Sequence, residues 1–529
     1  MLHRAPLFVS LLLLSALSLP AAQSQRETTT VEVVQVPVYV TDVNGSVAGL
    51  AREDFVLTVN GVRQPIDYFD VIDFGKVSRA QTRDPRQRRL YVLVFDMLYS
   101  NPNAVQRAQK AARAYVDAAG ESDYFAIASY TSRKGLQLVV PFTRDHETLR
   151  YAVSRLQEVN MLDPLRLALA EGLTAERMSG NDRQDGERSA DRIDDISAIR
   201  ELLVDPQRRL IGDQLDDLGN LATRLAPIEG QKHVVLLSGG FNNSILHGVN
   251  FAQSMRRGDI QLMGQTRTVS PLSPAAVTVS EPSLIGRERT MSRRFAAAGV
   301  FLDAIDINGV PGAWSNSTNE GLFTLAHDTG GSVVYNRNDL HEALDHLSDL
   351  QRVAYVLGFK SHDTGKEQNA IHVSLRNHKG VDVTYRPSYS ATLPTPSAND
   401  ALRIADILEN DLPQTGITVR SSVVAEAGNA RIDVEVPSRE LLAVGGGTTV
   451  EGEALIYVYR GDAVVAFRQK GLTVDAARAD AALAGAPIHI TDDVPLPHGT
   501  YAVKVVVRVK GAEALGFARS DVQVGENGK

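Results

Sequence analysis

Two rhythms of apolar and polar positions divide the chain. Between residues 31 and 72 the period is two: Val36, Val38 and Val40 lead into Asn44-Gly45, and the run 55–59 (FVLTV) leads into Asn60-Gly61. Asn-Gly supplies the positive φ angles of a tight hairpin, so this stretch predicts short strands joined by turns. From Leu90 the pattern changes to short apolar runs separated by helical spacings. The runs 91–95 (YVLVF), 124–129 (YFAIAS), 233–237 (HVVLL), 300–305 (VFLDAI), 332–335 (SVVY) and 354–359 (AYVLGF) read as buried strands of a mostly parallel sheet. Ala108, Ala111, Ala112, Tyr115, Val116 and Ala119 mark a covering helix stopped by Gly120. Leu340, Ala343, Leu344, Leu347 and Leu350 mark another, with Asn338 as its cap. The run 136–140 (LQLVV) follows its neighbour so closely that it predicts an antiparallel edge strand.

A polar insertion at 180–192 and a proline-containing stretch at 266–283 interrupt this pattern, and Pro206 is expected to break or kink the helix it falls in. Beyond a Pro-Thr-Pro linker the period returns to two. Val503, Val505, Val507 and Val509 face one way and Lys504, Arg508 and Lys510 the other, which predicts a strand with one wet face. With 430–436, 454–459 and 463–467 it makes a C-terminal β-sandwich over 402–526.

The 529 residues exceed one ordinary core. A net charge of −8, with 43% hydrophobic and 22% charged residues, excludes a general nucleic-acid binder. The basic stretch 79–89 (RAQTRDPRQRR) reads as a solvated linker. His3 and Arg4, an apolar run over 7–19 and small residues at Ala21, Ala22 and Ser24 predict a signal peptide over 1–24. That run is shorter than the roughly 20 residues of a membrane span, and no later segment is long enough. The absence of cysteine excludes disulfides, thiol catalysis and Cys-based zinc sites. Export without disulfides points to a bacterial periplasm or exterior.

The strand order, the edge strand and the aspartate ending the first strand make residues 88–360 resemble a von Willebrand factor A domain. More narrowly, 36–66 (VPVYVTDVNGSVAGLAREDFVLTVNGVRQPI), Phe95-Asp96, Pro141-Phe142-Thr143, 325–331 (LAHDTGG), 355–359 (YVLGF) and Tyr385-Arg386 resemble the VWFA-related proteins of acidobacteria. The resemblance implies a doubly wound, mostly parallel α/β sheet with an antiparallel edge. A β segment over 28–75 would precede it, and a trailing strand pair would complete a unit over 88–390. It also implies a cation site in which an Asp-x-Ser-x-Ser loop, a threonine and a later aspartate surround Mg²⁺. Here the loop reads Asp96-Met97-Leu98-Tyr99-Ser100, and the later strand ends Leu237-Ser238-Gly239-Gly240. Leu98 and Gly239 stand where oxygen ligands belong. Asp96 and Ser100 remain as metal candidates, with Asp163 or Thr174 able to approach from the following loop. The alternative role for Asp96 and Ser100 is to cap the next helix with 101–103.

Other motifs carry less. Asp328-Thr329-Gly330 and Asp363-Thr364-Gly365 lack the apolar strand setting of aspartic proteases, and Gly330-Gly331 reads as a helix stop. Arg460-Gly461-Asp462 fits a hairpin turn, and Arg257-Gly258-Asp259 is a chance match. His327, His341, His346, His362, His372 and His378 show no zinc spacing. The expectation is an exported, non-enzymatic recognition module with no catalytic residues. The strand-end face around Asp96, Ser100 and Ser238 would meet a protein or extracellular polymer, with Mg²⁺ at most an accessory. The alternatives are an envelope-assembly subunit and a hydrolase with an interdomain site.

Overall fold

The computed structural model describes residues 33–156, 189–241, 282–310, 319–360, 368–390, 397, 400–426, 428–447, 449–475 and 486–525. The signal-peptide region, the 180–188 part of the polar insertion, the 266–281 part of the proline stretch, the Pro-Thr-Pro linker, Asp163, Thr174, His362, 257–259 and 363–365 lie outside them.

The chain opens with β1 (Val33–Asp42), β2 (Gly45–Ser46), β3 (Phe55–Val59), β4 (Val62–Gln64) and β5 (Tyr68–Asp73). The period-two pattern buries Val34, Val36, Val38 and Val40 on one face, and Gly45 and Gly61 take the positive φ that their turns require.

The α/β layer follows: β6 (Arg89–Asp96), α1 (Pro102–Asp117), β7 (Asp123–Thr131), β8 (Gly135–Thr143), α2 (His146–Arg155), α3 (Ser189–Leu225), β9 (Gln231–Ser238), α4 (Pro282–Ala298), β10 (Val300–Asp306), α5 (Asn319–Thr329), β11 (Val333–Val334) and α6 (Leu340–Leu350). The sheet order is β11-β10-β9-β6-β7-β8, parallel except for β8, which runs antiparallel at the edge as expected. β6, β7, β9 and β10 are buried along their whole length, because helices cover both faces. Pro206 does not end α3; it removes one backbone donor within a helix that runs on to Leu225. Asp339, not Asn338, caps α6, accepting from the His341 and Glu342 amides, while Asn338 Oδ1 accepts from Val310 N. α1 ends at Ala118 in ordinary helical geometry, two residues before Gly120. Gly330, at φ +78°, closes α5 as predicted.

The chain then returns to its beginning through β12 (Val353–Lys360), β13 (Gln368–Leu375), β14 (Asp382–Tyr385) and β15 (Ser388–Ser390). β12, expected in the parallel sheet, instead lies antiparallel between β1 and β5. The sheets β14-β1-β12-β5 and β15-β13-β3-β4 share one core that includes Val36, Phe55, Leu57, Tyr355, Leu357 and Ile371. The opening β segment and the trailing strands are therefore one β unit, with the α/β layer inserted between its halves.

The remainder is α7 (Ala401–Asn410), β16 (Arg420–Glu426), β17 (Asn429–Pro437), α8 (Ser438–Gly445), β18 (Thr449–Arg460), β19 (Ala463–Asp475), β20 (Pro487–Pro495), β21 (Gly499–Val509) and β22 (Leu515–Val524). The sheets β16-β17-β20 and β19-β18-β21-β22 enclose a shared apolar core. The second face of β21 is not wet: Val506 packs under α7, and Lys504 is buried with Nζ against Leu408 O and 2.9 Å from Asp411. α7 joins two cores, Leu402 and Ala405 packing with the parallel sheet and Ile404, Ile407 and Leu408 with β18 and β21.

A buried polar cluster attaches the β unit to the α/β layer. Asp303 on β10 accepts from His233 Nδ1 at 2.9 Å, Gln351 Nε2 at 2.8 Å and Ser332 N at 2.8 Å. A carboxylate only accepts, so Nδ1 carries the proton and Nε2 takes the Tyr39 hydroxyl of β1 at 3.0 Å. Burial above all pushes the Tyr39 pKa up, which keeps that hydroxyl a donor. Asp303→Ala strands two buried donors and the half-buried Ser332 amide and is expected to destabilise the chain by about 3–5 kcal/mol, against about 1–2 kcal/mol for Tyr39→Phe, read as lower urea midpoints by circular dichroism.

Candidate functional site

β6, β9 and β10 bring Asp96, Ser238 and Asp306 together at one end of the sheet, with Asp306 in register with Ser238. Carboxyl ends of parallel strands are where open α/β sheets bind ligands. Here that end is closed by its own hydrogen bonds. Asp96 Oδ1 accepts from Leu98 N at 2.8 Å and Tyr99 N at 3.1 Å, and Oδ2 from Ser238 Oγ at 2.5 Å and Gln214 Nε2 of α3 at 3.3 Å. Ser238 Oγ in turn accepts from Gly240 N, and Ser100 Oγ from Gly239 N, both at 2.9 Å. Gln214 is a partner that no local motif announces, since it lies 118 residues from Asp96.

Asp96, Ser100 and Ser238 are 0%, 3% and 1% exposed. The expectation that these side chains themselves face a ligand is corrected: they lie beneath the strand-end surface and brace it. The proposed shared cap is corrected too. Asn101 alone caps α1, accepting from Ala104 N at 2.8 Å with Pro102 following it, whereas Asp96 forms the preceding turn and Ser100 reaches across to β9. Asn101 Nδ2 donates to Asn308 Oδ1, and Asn308 Nδ2 to Gly239 O, so the loops after β6, β9 and β10 are stitched together.

The residues present do not fit a divalent cation. Burial, partly offset by the four hydrogen bonds, raises the Asp96 pKa, whereas a hard cation requires several charged oxygens held open. Leu98 is buried at the position of the missing hydroxyl. A Cβ on Gly239 would stand 2.3 Å from Tyr99 O, so an aspartate has no room there. Among the described residues no group of three or more acidic or imidazole side chains is placed to hold a metal.

The other motif residues take local roles. Thr329 is buried at the end of α5, its hydroxyl donating to Ala326 O. Gly461 and Asp462 form the β18–β19 turn, as the spacing predicts. His327 and His341 lie beside Asp328 and Asp345, His378 beside Asp54, and His372 beside the Tyr385 hydroxyl. The 79–89 stretch is not a solvated linker. Arg88 and Arg89 are buried, Arg89 donating to both oxygens of Asp123 at 2.7 and 2.9 Å and Arg88 to the Thr82 and Arg83 carbonyls. Sequence reasoning also passed over His233 and Asp303; polar residues inside otherwise apolar runs were the available signal.

Asp96→Ala, which leaves three buried donors and the half-buried Tyr99 amide without their acceptor, is expected to cost about 2–4 kcal/mol in urea unfolding. Because the folded-state pKa of Asp96 is raised, its protonated form favours folding. Its contribution is complete below the ordinary carboxylate pKa and declines as pH rises through the raised value, a slope that Asp96→Asn should remove. Millimolar Mg²⁺ should leave the thermal midpoint where EDTA leaves it; an upward shift would reveal a usable cation site.

No protein-family model matches the sequence and no curated protein matches it. Solved structures with partial likeness include the protein BatB from Bacteroides thetaiotaomicron (12% identity, TM-score 0.24, 50% of this chain and 98% of that one). An aerotolerance-related membrane protein from Bacteroides fragilis is similar at 10% identity, TM-score 0.24 and the same coverage. The ArnB paralog VWA2 from Sulfolobus acidocaldarius is similar at 10% identity and TM-score 0.20, over 94% of this chain and 76% of that one. The mixed α/β architecture of this chain rests on its own strand order, and no described helix is long and apolar enough to cross a membrane.

Proposed function

We propose that this chain is an exported, non-enzymatic recognition module. A von Willebrand A-like layer holds up a strand-end surface for a protein or extracellular polymer, and the paired C-terminal sheets act as a β-sandwich spacer. One observation carries the reading: the Asp96, Ser100 and Ser238 oxygens are engaged by internal donors, so they stiffen the loops after β6, β9 and β10 instead of holding a cation. Recognition then belongs to the connections that follow these strands; the one after β9 includes residues 242–281, which precede α4 in the chain. Coupling through a rigid base lowers the ordering cost of binding.

A hydrolase reading draws on one feature, a polar cleft containing Glu409 and Asp462 between the α/β layer and the C-terminal sheets. Arg144 lies between those carboxylates, and among the described residues no Ser-His pair lines the cleft, which favours binding over acid–base chemistry.

The test is capture from a native envelope fraction by the full chain and by a chain whose 242–281 segment is a glycine-serine linker. The same proteins should be captured in Mg²⁺ and in EDTA, and lost with the linker while circular dichroism is unchanged. Capture abolished by EDTA, or indifferent to the linker, would sink the reading.

A further inference from the structure

The same cleft, about 860 Å³ in volume, has a charge imbalance that its own ion pairs do not remove. Six basic and three acidic side chains line it. Asp462 receives both outer nitrogens of Arg79, and Asp411 receives Lys504 and Arg519. Arg144, in the turn after β8, has only looser ion pairs. Its Nη2 lies 3.5 Å from Asp462 and its Nε 3.9 Å from Glu409 Oε2, beyond hydrogen-bond reach. Neither Nε nor Nη1 has a hydrogen-bond partner among the described residues, although both are buried.

The guanidinium is held in place rather than adrift. It sits 4.7 Å from the centroid of the Tyr124 ring, and the Tyr124 hydroxyl donates to Asn410 Oδ1 at 2.9 Å. Buried donors that lack an acceptor mark an absent partner, and a fixed planar guanidinium matches a two-oxygen anion.

We propose that this cleft binds a small oxyanion-bearing ligand anchored on Arg144, with Glu409 as the internal carboxylate that the ligand displaces. Glu409 is faced by Thr143 and Arg144 from the end of β8, by Lys504 from β21, and by Tyr459 and Asp462 from β18 and its turn. Burial, opposed by Arg144 and Lys504, raises its pKa to about 7. As pH falls through neutrality Glu409 takes up a proton, stops competing for Arg144, and the site becomes more cationic. Anion affinity therefore rises on acidification.

Calorimetric titration of the full chain with sulfate and with glucuronate tests this, since neither probe changes charge near neutrality. At least one should bind in the millimolar range or tighter; sulfate alone identifies a tetrahedral group and glucuronate alone a planar carboxylate. Binding should be tighter at about pH 6 than at about pH 8. Glu409→Gln should bind at the higher pH as the wild type does at the lower, and lose the pH dependence. Arg144→Gln should weaken binding by roughly ten-fold or more, and Arg144→Lys, which keeps the charge but not the fork, by less. The proposal is overturned if neither probe binds, if both Arg144 variants bind as the wild type does, or if Glu409→Gln keeps the full pH dependence.

Discussion

One buried carboxylate holds the two halves of the β unit against the α/β layer. Asp303 sits in the middle of β10, flanked along the strand by Leu302 and Ala304, and is tolerable there only because an imidazole, a side-chain amide and a backbone amide all donate to it. Those donors come from β9, from the end of α6 and from the start of β11. The imidazole passes the constraint on to Tyr39 of β1, and Phe301 stacks on the same ring. Removing any one member leaves another buried polar group unpaired. The orientation of β1 on the sheet is thereby specified, and with it the pairing of β1 with β12, by which the chain closes on its own beginning.

The strand-end surface follows the same logic of internal satisfaction with a different consequence. Asp96, Ser100 and Ser238 have the residue types of an ion-binding crest, yet each is engaged within the protein. The close approach of Gly239 to Tyr99 O leaves no space for a further carboxylate. The result is a stiff strand-end base. The cleft at α7 is the opposite case. There the ion pairs leave a buried arginine with unmatched donors, and chemistry that is complete at one end of the molecule is incomplete at the other.

Much of the architecture was legible in local pattern. Apolar runs located β6, β7, β9 and β10, the short 131–135 connection implied an antiparallel β8, and the Asn-Gly pairs located two hairpin turns. These features depend on residues a few positions apart, and periodicity reports such distances faithfully. The glycine at 330 likewise stopped its helix through its own φ angle. The loss of oxygen ligands at Leu98 and Gly239 could also be read from the sequence.

What the sequence determined by itself, then, was the set of elements and the weakness of the cation motif. Tertiary structure alone decided which distant elements pair and which polar groups are buried. The run at 354–359 has the composition of a parallel core strand, and only its pairing with β1 and β5 placed it in the other layer. Lys504 belongs to an alternating strand pattern, and only α7 buries it. The arginines at 88 and 89 read as a solvated run until Asp123 and two backbone carbonyls take them inside. The physical reason is the same throughout: burial and hydrogen-bond partnership are set by contacts between distant segments, such as the 194 residues separating Tyr39 from His233. Local periodicity carries no term for them.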